Sequence, residues 1–356
     1  MNQKKIVFTG GGTAGHVMPN LSIMEKLVAK YPVQCHYIGL SDSIEQSIVA
    51  KHPWILFHSI HSVKFDRSYS ITNIFAIYNL LRGVLESKAI LQAIQPDLIF
   101  SKGSYVAFPV VVAGFLKHTP MIAHESDVTP GLANHWSSKM VGKVLTTFPE
   151  TTRYYPHKSE VVGTPIRSTL LKGNRDMGYK ITNLSQDKPI LMVIGGSQGS
   201  DFLNQTIRSL LPLLLTTYSV LHICGKGKRE ETLQTVQGYY QVEFAMEELP
   251  HLYAIADVAI SRAGANTMME LIALQKPTIF IPLTRKYSRG DQIANALSME
   301  KNHLSLKMEE HEVNESTLLK TLDQLWENKE TYRQNMKQYL PFDSAEKISD
   351  IITTYW

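Results

Sequence analysis

Only two cysteines, Cys35 and Cys224, occur in 356 residues. Two thiols cannot supply a disulfide framework or a four-cysteine zinc site, and such sparing use points to a reducing compartment. No Asp-x-Asp occurs anywhere, and no His/Cys cluster has metal-ligand spacing, so no metal or other cofactor is expected to be required. Long apolar runs are also missing. The longest, Val106 to Leu116, contains Pro109 and Gly114 and falls short of the ~20 residues that a spanning helix needs. Met1-Asn2-Gln3-Lys4-Lys5 leads into a short apolar strand without the features of a secretory signal. Charge of one sign is scarce: 36 basic against 32 acidic residues leaves +4, far from the dense basic footprint of a dedicated nucleic-acid binder. That mild excess suits anionic lipid or a phosphorylated ligand. The expectation is a cytoplasmic protein able to touch a membrane surface.

What is present is core material. Hydrophobic residues make up 44% and charged residues 19%, which excludes wholesale disorder and collagen-like repeats. The chain is longer than most single cores grow, so two domains are expected. Strand-like runs alternate with helical patterns, the mark of parallel α/β architecture. Lys5 to Thr9 reads as a strand, Gly10 to His16 as a turn, Pro19 to Lys30 as a helix and Gln34 to Gly39 as a strand. The same sentence returns later: strand Pro189 to Ile194, turn Gly195 to Ser200, helix Phe202 to Leu215, strand Val220 to Gly225. Two such units imply two Rossmann-like domains facing across a cleft. The pattern breaks at Gly163-Thr164-Pro165-Ile166-Arg167, which gives domains 1–162 and 163–340. Glu315 to Tyr339 reads as two charged amphipathic helices. After Pro341-Phe342 a last helix, within 341–356, is expected to return to the first domain.

Gly10-x-Gly12-x-x-Gly15 matches the dinucleotide fingerprint in form, since glycines and a helix N-terminus let amides approach a phosphate. That use also needs an acidic residue closing the second strand; here Asp42 comes late, and His16 sits inside the turn. A turn that only packs helix on strand stays open as the alternative. Gly195-Gly196-Ser197-Gln198-Gly199 lacks the Walker lysine and P-loop spacing, yet suits a diphosphate. The loops Ser101-Lys102-Gly103-Ser104-Tyr105 and His124-Glu125-Ser126-Asp127 follow strands, where an open α/β sheet delivers ligand groups. In the second half, Ser261 to Thr267 gives way to a helix carrying Glu270. That carboxylate either favours the helix dipole or accepts both hydroxyls of a ribose.

Together these residues resemble the MurG family, the cytoplasmic N-acetylglucosaminyltransferases of peptidoglycan synthesis, GT-B enzymes of glycosyltransferase family 28. The resemblance runs from Gly10 to about Asn295 and rests on GGGTAGHVMPN, SKGSYVAFP, HESD, GTPIR, GGSQGS, SRAGANTMMEL and GDQIANA in combination. It implies UDP-N-acetylglucosamine as donor, lipid I as acceptor and lipid II as inverted product. Thr13, Ala14 and Gly15 match the first glycine loop, a donor-binding position near the acceptor diphosphate and the transferred sugar, and His16 matches its histidine. Tyr105, His124 and Asp127 fall on the acceptor side. Arg167 and Ser197 match donor-binding positions, and Met246 matches the apolar residue whose backbone holds uracil. Ala265, Asn266 and Thr267 match the nucleotide loop, with Glu270 as the ribose ligand and Gln292 at the donor sugar. The family also implies partners among the cell-wall synthesis proteins. Ala14 and Ser104 stand where the family often has glycine, so each needs backbone angles that a Cβ tolerates. Ser126-Asp127 stands where it often has Gln-Asn, and a carboxylate near phosphates weakens binding unless a base or hydroxyl pairs with it.

By this resemblance the general base for the acceptor C4 hydroxyl is His16, with Asp127 as alternative or assistant. A lipid-linked acceptor calls for a membrane-facing surface. Ile74, Phe75, Tyr78, Leu81 and Leu85 fall at helical spacing between Ile71 and Ile94. Lys64, Arg67, Arg82 and Lys88 lie in or near that stretch, and Phe115 and Lys117 on the next helix. Apolar anchors ringed by basic residues suit peripheral docking on anionic lipid at the inner face of the cell membrane; the same stripe suits the core face of a Rossmann helix. Competing readings are another GT-B glycosyltransferase with a different lipid or small-molecule acceptor, a non-hydrolysing UDP-sugar epimerase, a silent UDP-sugar binder and a dehydrogenase.

Overall fold

Apolar runs that stop at glycine become strands of two parallel sheets. The computed structural model describes residues 3–63, 72–196, 198–339 and 343–356, with backbone alone for 72–76. Its chain divides into two compact units, one running to Arg167 and taking in the C-terminal helix, the other beginning at Ser168. The first unit runs β1 (Lys4–Thr9), α1 (Ala14–Lys30), β2 (Val33–Leu40), α2 (Ile44–Val49), β3 (Ile55–Ile60) and α3 (Thr72–Ile94). It continues through β4 (Leu98–Ser101), α4 (Phe108–Leu116), β5 (Met121–Glu125), α5 (Leu132–Ser138), β6 (Lys143–Thr146) and β7 (Ser159–Val161). The second runs α6 (Arg175–Thr182), β8 (Ile190–Ile194), α7 (Asp201–Ser209), α8 (Leu211–Thr217), β9 (Ser219–Ile223) and β10 (Tyr239–Val242). It continues through α9 (Leu249–Ile255), β11 (Val258–Ser261), α10 (Ala265–Ala273), β12 (Thr278–Phe280), α11 (Asp291–Lys301), β13 (Leu306–Lys307), α12 (Glu315–Glu327) and α13 (Lys329–Tyr339). Last comes α14 (Ser344–Thr353).

Strand order is β3-β2-β1-β4-β5-β6-β7 in the first sheet and β10-β9-β8-β11-β12-β13 in the second. In each, the chain winds outward to one side of the founding strand and then jumps to its other side. The switch falls between β1 and β4, where Phe8 pairs with Phe100, and between β8 and β11, where Ile194 pairs with Ser261. Ligands bind at the carboxyl ends of strands at such a point. Strands covered on both faces read as unbroken apolar runs, and β4, β5 and β8 are buried throughout, whereas edge strand β10 alternates and edge strand β3 is buried only at its two ends. Period-2 geometry sends Phe8 and Phe100 to the α1 face and Val7 and Ile99 to the α3–α4 face.

In α14, Ile348 and Ile352 are buried in the same core as Val17, Leu21 and Met24 of α1. Each burial contributes roughly 1.5–3 kcal/mol. Lys26 pairs with Asp343 at 2.7 Å and Lys30 pairs with Glu346, fixing the helix direction.

Two helices differ from the sequence expectation. α1 starts at Ala14 rather than Pro19, and Pro19 lies inside it. A proline early in a helix forfeits one bond, here to the Gly15 carbonyl, and that loss is smaller than the gain from burying Val17 and Leu21. The helix expected over Phe202 to Leu215 breaks at Leu210, because Pro212 has no N–H for the first helix and starts the second.

Candidate active site

The first glycine loop is held from below by a buried carboxylate. Glu45 accepts from Gly12 N at 3.1 Å and Leu40 N at 3.2 Å, and Tyr37 donates its hydroxyl to the Gly10 carbonyl at 2.6 Å. A Cβ on Gly11 would sit 2.4 Å from Glu45 Oε1, so only glycine fits over that carboxylate. The N-cap of α1, Thr13, makes no side-chain cap bond, and its first turn has no acidic residue, which leaves amides and a positive dipole end for an anion. Thr13 is exposed; Ala14, Gly15 and His16 are half-buried. His16 Nδ1 lies 3.3 Å from the Lys102 carbonyl. A carbonyl only accepts, so the proton sits on Nδ1 and Nε2 is the basic nitrogen. The Tyr105 ring packs where a Gly12 Cβ would be, about 3.0 Å away, so the tyrosine and the glycine loop share one surface.

Ala14 is helical, but Ser104 has φ +82. A left-handed serine costs roughly 1–2 kcal/mol. Its Oγ offsets this by accepting from Gly11 N and Val106 N, both at 3.2 Å.

The loop after β5 is a buried polar network. His124 is 0% exposed, donates Nε2–H to the Gly163 carbonyl at 2.8 Å and receives Lys102 Nζ at Nδ1, 2.6 Å away. Expected on the acceptor side, His124 lies fully buried with both ring nitrogens engaged inside the protein. Burial, then the Lys102 charge, holds its imidazole well below the usual range. Glu125 accepts from Asp127 N, Gly131 N and Asn134 Nδ2 at 3.0, 3.1 and 2.9 Å. Burial, reinforced by the Asp127 carboxylate, pushes its pKa up to about 7. Asp127 itself is half-buried at the loop's outer end.

In the second unit Ser197 lies outside the described residues. Around it, Gly196 has φ +84 with nothing within 4 Å of a hypothetical Cβ, while Gly199 and Gly225 approach so closely that neither tolerates one. Ser200 caps α7 by accepting from Leu203 N, and Asp201 adds a carboxylate to its first turn. By contrast α10 starts at Gly264 with no side-chain cap and no acid. Asn266 Oδ1 is buried there without a hydrogen-bond partner. Glu270, half-buried in α10, accepts the Tyr253 hydroxyl at 3.1 Å. Gln292 accepts from Leu283 N at 3.1 Å, and Asn295 ties α11 to the Ala263 carbonyl. Ala265 is buried, and Asn266, Thr267, Met246 and Arg167 are half-buried, Arg167 closing the first unit.

On α3, Tyr78, Leu81 and Leu85 are 62%, 60% and 67% exposed, and Phe115 of α4 is 49% exposed. The core face of α3 is instead Gly83, Ser87, Leu91 and Ile94. Arg82 pairs with Glu86 at 2.9 Å. Leu132 and Trp136 add exposed apolar surface on α5, with Lys139 over the Trp136 ring at 4.3 Å. The side chains of Ile74 and Phe75, and residues Lys64 and Arg67, lie outside the description. No helix of the described residues is long and apolar enough to cross a membrane.

Sequence reasoning passed over Glu45, Lys102, Glu125, Asn134 and Arg262. Arg262 is 6% exposed, donates to Ser200 Oγ and to the Ile281 and Pro282 carbonyls, and pairs with Glu310 at 2.6 Å. Lys102, Glu125 and Arg262 stood inside quoted motifs; nothing in local sequence marks Glu45. A groove of about 380 Å³ lined by Gln3, Val33, Gln34 and Trp54 lies at the amino ends of β1 and β2, the wrong end of the sheet for this chemistry. Among the described residues no three His, Cys, Asp or Glu side chains cluster as metal ligands.

The glycosyltransferase family 28 N-terminal domain matches residues 6–146, and the family's C-terminal domain matches residues 190–355. The chain is 46% identical to a UDP-N-acetylglucosamine--N-acetylmuramyl-(pentapeptide) pyrophosphoryl-undecaprenol N-acetylglucosamine transferase of Clostridium tetani, covering 99% of both chains. It is 43% identical to the protein of that name from Clostridium novyi, covering 100% of this chain and 99% of that one. Among solved structures it superposes on Acinetobacter baumannii MurG with a TM-score of 0.77 at 22% identity, over 99% of each chain. It superposes on the calicheamicin glycosyltransferase CalG4 with a TM-score of 0.73 at 12% identity, over 100% and 98%. The fold class is GT-B.

Proposed function

The chain belongs to glycosyltransferase family 28, and on that premise we propose that it moves N-acetylglucosamine from UDP-N-acetylglucosamine to the C4 hydroxyl of the N-acetylmuramyl residue of lipid I. The product is lipid II, with a β-1,4 linkage formed by inversion. The observation that carries this reading is full-length identity of 46% to a transferase of that name; the site geometry supports it.

In the first unit, His16 Nε2 takes the proton of the acceptor hydroxyl, because Nδ1 is committed to the Lys102 carbonyl. The freed oxygen attacks the anomeric carbon as its bond to the diphosphate breaks. Asp127 assists at the same edge, and Tyr105 lines the acceptor surface. In the second unit, Met246 leads into α9, whose Tyr253 orients Glu270 toward a ribose. Ala265, Asn266 and Thr267 bring the uncapped start of α10 to the departing diphosphate, with Ser197 and Gln292 serving the same donor; Arg167, at the end of the first unit, is a further donor-binding residue. Fixed amides and a basic side chain stabilise the leaving group without a metal. α10 fits this task better than α7, where Ser200 already caps the Leu203 amide and the first turn carries Asp201, paired with Lys228 at 2.9 Å.

The protein docks on the inner face of the cell membrane through Tyr78, Leu81 and Phe115, continued by Leu85, Leu132 and Trp136. Co-sedimentation with vesicles should rise with anionic lipid and fall with salt; indifference to both ends the docking idea. The central test mixes the purified chain with UDP-N-acetylglucosamine and a short-chain lipid I analogue in EDTA, following UDP and the disaccharide by mass spectrometry. Product establishes donor, acceptor and metal independence together. Donor binding without product removes lipid I as acceptor.

A further inference from the structure

Glu45 is a carboxylate in the first turn of α2 that is 0% exposed, and among the described residues no lysine or arginine pairs with it. Such a group is tolerated inside a protein when hydrogen bonds fill its oxygens. Here both partners are backbone amides. Oε1 accepts from Leu40 N at 3.2 Å, and Oε2 accepts from Gly12 N at 3.1 Å. The Leu40 bond only closes α2 onto the end of β2. The Gly12 bond reaches across to the loop after β1. Both segments are pared down to glycine around the carboxylate. A Cβ on Gly11 would lie 2.4 Å from Oε1, and one on Gly39 would lie 2.8 Å from the Glu45 Cγ.

What Glu45 holds is the entry to α1. Gly12 has φ +79 and directly precedes Thr13, the N-cap. A glycine has wide conformational freedom, so the helix start is placed only if the peptides before it are pinned. Ser104 Oγ pins Gly11 N, and Glu45 pins Gly12 N. With both amides taken, an anion at this loop falls to the first amides of α1. His16 stands in that first turn, and the Tyr105 ring packs against Gly12.

We infer that Glu45 is a positioning residue for the acceptor side: by holding the Gly12 amide from beneath, its carboxylate fixes the start of α1 and with it the place of His16 beside Tyr105. This rests on the proposed reading that the first unit takes the acceptor. A glutamate that only ties α2 to β2 has a different signature: its loss lowers stability and leaves turnover below the melting range unchanged.

The test compares Glu45→Gln with Asp97→Asn. Glutamine keeps the size of Glu45 but has one accepting oxygen, so one of the two amides loses its partner. Asp97 accepts from Lys5 N at 2.9 Å and Lys4 Nζ at 3.0 Å at the opposite end of β1, and serves as the stability control. Amide hydrogen exchange is followed across residues 10–16. Kinetics with the lipid I analogue are measured well below each variant's melting temperature. Glu45→Gln should speed exchange in that segment roughly tenfold and lower kcat about 10- to 100-fold, with UDP-N-acetylglucosamine affinity by calorimetry nearly unmoved. Asp97→Asn should lower the melting temperature alone. Unchanged kcat in Glu45→Gln, an equal kcat loss in Asp97→Asn, or donor affinity falling along with kcat overturns the inference. Where Glu45→Gln does not fold, Gly39→Ala presses on the Glu45 stem from the strand side without touching the loop. It should act in the same direction, and unchanged kcat and exchange there overturn the inference equally. Exchange needs no substrate. If wild type turns over no lipid I analogue, the proposed function fails, yet the hold on the loop is still read: exchange across 10–16 as slow in Glu45→Gln as in wild type overturns it independently.

Discussion

At the carboxyl ends of β1 and β4 the first unit buries a lysine, a histidine and two glutamates, Lys102, His124, Glu45 and Glu125. At the equivalent ends of β8 and β11 the second unit pairs the buried Arg262 with the half-buried Glu310, and one strand over it buries His222 between Asn204 and Tyr239. Around the pair are glycines with open space above them and a helix start without a cap. The strand order is shared; the materials at the switch point are not. One scaffold thus serves two kinds of chemistry. On the proposed reading, titratable groups packed at low dielectric set tautomers beside the acceptor hydroxyl, whereas amides fixed by a helix receive the donor's diphosphate and change no protonation state.

The sharpest way to break this comparison is at His16. His16→Ala should lower kcat by about 10²–10⁴-fold, while UDP-N-acetylglucosamine affinity by calorimetry stays near wild type. A matching loss of donor affinity would mean that the two units do not divide the work. Next is the ion pair of the second unit. Glu310→Gln strands the Arg262 guanidinium, and urea unfolding should show a loss of about 3–5 kcal/mol; a loss below about 1 kcal/mol would mean that Ser200 and the two carbonyls suffice. Gly264→Asp sharpens the contrast by turning a bare helix start into a capped one. It should stabilise by only about 0.3 kcal/mol yet weaken donor binding roughly tenfold, since a carboxylate then occupies the anion's place. Donor affinity unchanged by that residue would remove α10 from the diphosphate site. The smallest effect is expected at Ser104. Ser104→Gly trades left-handed strain against two hydrogen bonds and should be nearly neutral, whereas Ser104→Ala keeps the strain and loses the bonds, so it should melt lower by an equivalent of about 1 kcal/mol. Equal melting of the two variants would show that the strain is absent.

Much of this was legible before any coordinates. Lys5 to Thr9 and Pro189 to Ile194 announce themselves as central strands because a parallel strand covered on both faces must be apolar throughout. The glycines after them mark where backbone and ligand come close. The motifs carrying His16, Tyr105 and Glu270 read directly as candidate chemistry. What escaped notice depends on contacts between distant segments. Lys102 looks like any surface lysine until β5 brings His124 and Ser126 against it. Glu45 looks like part of a solvated helix face until Gly11 and Gly12 fold over it. The early start of α1 and the break at Leu210 turn on how a proline's missing N–H weighs against burial around it, which local pattern does not encode.

The order of apolar runs, glycines and helical stripes was enough to determine two doubly wound α/β units, because secondary-structure period and turn chemistry are local properties. The tertiary structure alone decided which polar residues are buried and with whom. It turned Lys102, His124 and Glu125 into one coupled network, left the start of α10 open and set Tyr78, Leu81 and Leu85 outside the core. Desolvation and electrostatic coupling act through space between residues far apart in the chain, so neither can be read from neighbours in sequence.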